Sequence, residues 1–128
     1  MRSRLDSALP RLVGGLAFTL ALTTFAQDLR VLVQSSPLAG FRHHAAAALW
    51  TELSTGDRLE LAREPTNPHD PNAIIVRWRG HTLGYIPRAE NQALAWALDR
   101  GEPVSARISV LREHPNPRRR LEVEVFAQ

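Results

Sequence analysis

Residues 56–88 read GDRLELAREPTNPHDPNAIIVRWRGHTLGYIPR, and this stretch decides the fold. Arg58–Glu64 alternates Leu59 and Leu61 with charged neighbours, the period of two of a half-buried strand. Residues 65–73, PTNPHDPNA, follow with three prolines and two asparagines. Proline fixes φ and cannot donate to a ladder, so this segment predicts an ordered loop. Residues 73–79 (AIIVRWR) and 81–86 (HTLGYI) then predict two strands turning at Gly80. Strand, rigid loop and hairpin in succession predict an antiparallel sheet.

On the N-terminal side, Leu29–Gln34 (LRVLVQ) predicts a strand ended by Ser35, Ser36 and Pro37. His44–Leu53 (HAAAALWTEL) predicts a helix with Ala47, Leu49, Trp50 and Leu53 inward, stopped at Gly56. On the C-terminal side, Glu90–Arg100 (ENQALAWALDR) predicts an amphipathic helix burying Ala93, Leu94, Trp96 and Leu98 and ending at Gly101. Val104–Arg112 and Arg120–Phe126 alternate again and form a second hairpin through EHPNPRR. The order β-α-β-β-β-α-β-β predicts a mainly β, α+β fold: a small antiparallel sheet, closed or half-closed into a barrel under two helices. Its expected core is Leu32, Trp50, Leu61, Ile74, Val76, Leu83, Leu94, Trp96, Ile108, Val110, Val123 and Val125.

Composition narrows the chemistry. The 128 residues make room for one small domain, and 44% hydrophobic with 23% charged residues is the balance of a globular chain. No cysteine is present, which excludes a disulfide scaffold, a thiol nucleophile and a zinc finger. No lysine is present, so Schiff-base chemistry and the GKS/T phosphate loop are excluded as well. Arg2, Arg4 and Arg11 precede an uncharged run, residues 12–26 (LVGGLAFTLALTTFA), with small Thr24 and Ala26 at its end. That layout predicts a signal peptide over residues 1–26 and a periplasmic or secreted domain over 27–128. Fifteen apolar residues fall short of the ~20 needed to span a bilayer, so no transmembrane segment is expected after cleavage. Residues 27–128 hold thirteen arginines against twelve acids. Near neutrality, any anion-binding footprint must come from local clustering of arginine.

The segments GFRHH (40–44), GDRLELAREPTNPHDPNAIIV (56–76) and LGYIPR (83–88) resemble the HIRAN domain. The resemblance runs from about Leu29 to Gln128, and REPxNPxDxNA at 63–73 is its specific part. It implies a modified OB-like barrel. It also implies nucleic-acid binding, at the 3′ end of single-stranded DNA, by rings that stack terminal bases, an aspartate on the 3′ hydroxyl and basic groups on phosphate. Stacking suits this task because every base has a π face, and phosphate needs positive donors.

Carried over by position, the resemblance implies that Arg42 is the basic residue beside the stacking ring. His43 and His69 stand where the DNA-binding relatives have tyrosines, Asp70 is the loop aspartate and Asn67 the motif asparagine. Tyr85 is the polar ring and Arg88 the basic position after LGY; Thr66 replaces a loop asparagine. Turn chemistry independently predicts that Asn67, Asp70 and Asn72 brace the loop. His43, His69 and Asp70 are the weak candidates for a metal site such as zinc. No HExxH spacing supports one, so no cofactor is expected. Arg118–Arg120 predicts a solvated hairpin tip, with phosphate contact as its alternative.

The expected partner of this monomeric module is single-stranded DNA or another anionic ligand. Two other readings stay open: an envelope protein-interaction domain, and a small metal-dependent hydrolase of nucleotides or nucleic acid. The chain has neither a Walker motif nor G-x-S-x-G, and one His–Asp neighbour pair without a nucleophile argues little for catalysis.

Overall fold

Six strands and two helices follow one another in the computed structural model, which describes residues 29–128; the predicted signal peptide lies outside the described residues. The strands are β1 (Val31–Pro37), β2 (Arg58–Arg63), β3 (Ile74–Trp78), β4 (His81–Tyr85), β5 (Val104–Leu111) and β6 (Leu121–Ala127). The helices are α1 (Ala46–Leu49) and α2 (Gln92–Asp99), and 3₁₀ turns cover Phe41–His43, Trp50–Glu52, Arg88–Glu90 and Pro117–Arg119. All neighbouring strands pair antiparallel, in the order β1-β6-β5-β2-β3-β4. The fold is the expected one: mainly β with two helices, an OB-like antiparallel barrel that its ladder leaves half closed.

The ladder is open, with β1 and β4 at its edges, yet the chain ties those edges together. Just after β1, Ala39 bridges Tyr85 of β4. Its N–H donates to the Tyr85 carbonyl at 2.8 Å, and the Tyr85 N–H returns the bond to the Ala39 carbonyl at 2.9 Å. Gly84 makes this approach feasible, because a Cβ built there would collide with the Ala39 carbonyl oxygen and press on Leu38. Here glycine is required for close backbone contact rather than for a turn.

The β3–β4 hairpin turns through Arg79 and Gly80, with φ of 47° and 83°. Two successive positive φ values define the mirror-image turn that matches strand twist. At the other hairpin, Asn116 caps the 3₁₀ turn by accepting the Arg118 N–H at 3.0 Å. Sequence and structure agree on both connections.

Inside, Leu38, Leu59, Ile74, Val76, Leu83, Leu94, Ile108, Leu121, Val123 and Val125 form one buried cluster. Leu49, Trp50 and Leu61 pack partly buried against it, and Val110 is half-buried. Two residues expected in the core are not there: Leu32 is 51% exposed and Trp96 is 53% exposed. Leu32 lies on edge strand β1, which pairs only with β6 and has no second neighbour to cover it. On α2 the inward stripe starts one step away from the expected one. Asn91, Leu94 and Ala95 are buried and Leu98 packs beside them, a spacing of 0, 3, 4 and 7 that turns Ala93 and Trp96 outward.

Other boundaries moved too. Ser35, Ser36 and Pro37 belong to β1 instead of ending it. Ser36 is buried with its Oγ accepting from Gln34 Nε2 at 2.8 Å, and an edge strand tolerates Pro37 at its last position. The helix expected over His44–Leu53 is a four-residue α1 between 3₁₀ turns. Ala47 and Ala48 are exposed there, and a helix with so little apolar surface to bury lacks the packing that sustains short helices.

Gly84→Ala is expected to cost about 3 kcal/mol through backbone overpacking, lowering Tm of the full chain by roughly 12 °C or more. Trp96→Gln, on the exposed face of α2, is expected to change stability by less than about 0.5 kcal/mol. Calorimetric unfolding of the two variants beside the wild type checks the contrast, and equal Tm values would refute the close-approach role of Gly84.

Candidate nucleic-acid interface

The loop between β2 and β3 is held by its own side chains. Its base is closed by Arg63, whose Nη1 donates to the Ala73 carbonyl at 2.7 Å and Nη2 to the Pro71 carbonyl at 2.9 Å. The same guanidinium reaches Asp99 at the end of α2, Nε to Oδ1 at 2.9 Å. Above this clamp, the Asn67 carbonyl oxygen accepts the backbone N–H groups of His69 at 2.8 Å and Asp70 at 3.1 Å. Asp70 divides its carboxylate: Oδ1 accepts the Asn72 N–H at 2.9 Å, and Oδ2 accepts Asn91 Nδ2 at 2.7 Å. Short polar side chains bracing backbone donors in this way replace the ladder that three prolines forbid.

Asn91 is the residue that sequence reasoning missed. It stands at the N-cap of α2, where asparagine ordinarily accepts a helix N–H, yet it makes no side-chain cap. Fully enclosed, its amide donates to Asp70 and so joins α2 to the loop. An asparagine at a helix start reads as a cap, which hid this long-range role.

The loop reaches the barrel edge through Glu64 and Tyr85. Asn67 Nδ2 donates to Glu64 Oε1 at 2.6 Å, and the Tyr85 hydroxyl donates to the same oxygen at 3.2 Å. Burial raises the Tyr85 pKa above its ordinary 10.0, and the negative charge and hydrogen bond of Glu64 raise it further. On the other side of Tyr85 lies His44, ring centroids 5.4 Å apart in an edge-to-face pair. Gly40, at φ 77°, starts the intervening turn; a Cβ there would stand 3.2 Å from the His44 ring. The ring packed at the centre is therefore His44, while His43 is exposed beside Arg42.

The seven expected site residues fall on one connected set of elements. Arg42 and His43 lie on the 41–43 turn, Asn67, His69 and Asp70 on the braced loop, Tyr85 at the end of β4 and Arg88 on the turn after it. They divide by role. Asn67, Asp70 and Tyr85 are half-buried and engaged in the internal network. Arg42, His43, His69 and Arg88 are exposed, and among the described residues their side chains make no hydrogen bond. A rigid inner layer thus presents two imidazoles and two guanidinium groups to solvent, a combination suited to planar rings and phosphates. Among the described residues no group of three or more His, Asp or Glu side chains is placed to hold a metal ion.

Comparison with known proteins matches residues 31–128 to the HIRAN domain model. Among solved structures, a Lactobacillus plantarum protein superposes with TM-score 0.66 and 31% identity, covering 77% of this chain and 94% of that one. The HIRAN domain of human HLTF superposes with TM-score 0.56 at 20% identity, covering 77% and 80% of the two chains, which shows a shared fold. A Fanconi-associated nuclease 1 homolog of Oryza sativa subsp. japonica is 34% identical over 86 residues, 64% of this chain. The chain spans only 8% of that protein's length.

Tyr85 is the single tyrosine of the chain, so its ionisation can be followed by ultraviolet absorbance. The expected midpoint lies above the ordinary 10.0, and Glu64→Gln is expected to lower it by removing the negative charge beside the hydroxyl. The raised value favours the neutral phenol. Stability linked to Tyr85 is therefore full below the unfolded-state pKa and is lost as pH rises through the folded one. Asn91→Ala, which strips Asp70 of a buried partner, is expected to destabilise the chain by about 1–3 kcal/mol in denaturant unfolding.

Proposed function

The chain belongs to the HIRAN domain family, and from that premise we propose that it is a binding module for the 3′ end of single-stranded DNA. The observation that carries the reading is the exposed quartet Arg42, His43, His69 and Arg88, mounted on the network of Asn67, Asp70 and Tyr85. In this reading the His43 and His69 rings stack on terminal bases, and Arg42 and Arg88 hold phosphates as positive donors. Asp70 accepts the 3′ hydroxyl proton on a lone pair left over from its two internal bonds, since a carboxylate accepts about four. The braces fix Asp70 and the loop backbone before the ligand arrives, which lowers the ordering cost that opposes association.

The rice relative is named as a nuclease homolog, but the match covers a small part of that protein, and we propose binding without turnover for this chain. We also propose that the protein is exported. Arg2, Arg4 and Arg11 ahead of the uncharged residues 12–26 support this, and the mass of the N-terminus after expression in a bacterium with a periplasm tests it.

Fluorescence anisotropy of the full chain with labelled oligonucleotides ending in a 3′ hydroxyl or a 3′ phosphate tests the function. Tighter binding to the free 3′ hydroxyl is expected. The Arg42→Ala/Arg88→Ala double variant is expected to bind at least about 10-fold more weakly and to lose about 0.7 per phosphate contact from the log–log salt slope. Equal affinity for both ends, or an unchanged double variant, would refute end recognition.

A further inference from the structure

A cavity of about 520 Å³ opens beside the 41–43 turn, lined by none of the seven residues the 3′-end reading uses. Its walls are Phe41, Trp50 and Pro115, and its polar groups come from Glu113, His114 and Arg120. The volume lies within the range of about 300–1,000 Å³ typical of small-ligand sites. Phe41 and Trp50 meet edge to face, ring centroids 5.6 Å apart. Arg120 is fixed over the Phe41 ring at 5.3 Å, with its Nε donating to the His114 carbonyl at 2.7 Å. Among the described residues the two Nη groups of Arg120 make no hydrogen bond, so this fork is held by its neck with its prongs unused. His114 Nδ1 accepts the Asn116 N–H at 2.9 Å, which places the proton of the neutral ring on Nε2 as a second donor. Glu113 is exposed at the rim and makes no ion pair among the described residues.

We propose that this cavity binds a guanine base of the strand held at the 3′-end site, making the protein selective for guanine at one position along that strand. The inference rests on the DNA-binding reading above. Aromatic walls favour a planar heterocycle. Guanine then offers two acceptors, O6 and N7, to a guanidinium fork, and N–H donors on its opposite edge to a carboxylate. Adenine puts an amino group where the fork needs an acceptor, and a pyrimidine lacks N7. Geometry links the cavity to the proposed path of the strand. Phe41 precedes Arg42 on the same turn, and the Pro117–Arg119 turn packs against it, carrying exposed Arg118 and Arg119. Those two arginines would hold the phosphates flanking the seated base.

Thymidine octamers with a free 3′ hydroxyl, each with one deoxyguanosine stepped from the 3′ end, test the inference by anisotropy with the full chain. One position is expected to bind about 10-fold tighter than the all-thymidine strand. Glu113→Gln and Arg120→Met are each expected to reduce that gain to less than about 3-fold while preserving discrimination between 3′ hydroxyl and 3′ phosphate. Methionine keeps apolar bulk over Phe41, and Glu113 is exposed, so at least the latter variant folds. No favoured position, or a gain that survives both variants, overturns the inference even where 3′-end recognition holds. Should no oligonucleotide bind, guanosine monophosphate alone decides, read from the Trp50 indole N–H resonance. Its movement with guanosine but not thymidine monophosphate supports the cavity and sinks only the 3′-end reading, and a stationary resonance overturns the guanine site.

Discussion

Two hydrogen bonds between Ala39 and Tyr85, closed over a glycine, hold the site in place. The sheet runs from β1 to β4 as an open ladder whose two edges share no ladder pairing, and this bridge joins them. With it, the chain leaving β1 is pinned to β4 one residue before the GFRHH turn begins. His44 therefore lands on Tyr85, and Tyr85 carries the contact on to Glu64 and Asn67. The β2-β3-β4 ladder already sets segment 64–73 beside segment 83–88, and the bridge, with the Ala45 N–H donating to the Thr82 carbonyl at 2.9 Å, brings segment 40–44 to them. Backbone groups can meet this closely only where no Cβ intervenes, so the constraint falls on Gly84.

From that point the molecule separates holding from presenting. The bracing side chains turn inward: Asn67 onto two backbone donors, Asp70 onto Asn72 and Asn91, and Arg63 at the end of β2 onto two carbonyls and Asp99. Prolines restrict the unfolded chain as well as the folded one, which reduces the entropy lost when the loop orders. The exposed groups are the ones with no internal work, Arg42, His43, His69 and Arg88. Asp70 is half-buried between the two layers, and its two braces leave carboxylate lone pairs unused.

The sequence made the strands and the loop legible because their signals are local. Alternation at 58–64, prolines at 65, 68 and 71 and the Arg-Gly turn each dictate a conformation by themselves. The phase of α2 was not legible. Residues 93–98, ALAWAL, are apolar all the way round, and only a buried Asn91 sets which stripe faces in. Because a buried polar residue is counted on the solvent side by any hydrophobic pattern, Trp96 was expected inward and is not. Leu32 failed for a different reason: strand propensity is the same at an edge as at the centre, and only topology decides what covers the strand. Of the candidate site, the motif positions were legible and the pairings were not. The neighbouring His43 and His44 are distinguished by φ at Gly40, which places one against Tyr85 and the other in solvent.

Charge shows why a nearly neutral domain can still present an anion-binding face. Four arginines pair with acids within 4 Å on the sheet and beside α2: Arg63 with Asp99, Arg100 with Glu102, Arg107 with Glu124 and Arg112 with Glu122. Exposed pairs of this kind contribute little to stability, but each cancels the field of its own arginine at short range. Arg42, Arg88, Arg118 and Arg119 sit on three of the 3₁₀ turns and have no acidic partner within that distance among the described residues. At physiological salt a charge is felt over about 8 Å, so these turns present their own charge rather than the average of the whole domain. Among the described residues, the four turn arginines therefore keep their charge uncancelled by a paired acid beside the rings and the cavity.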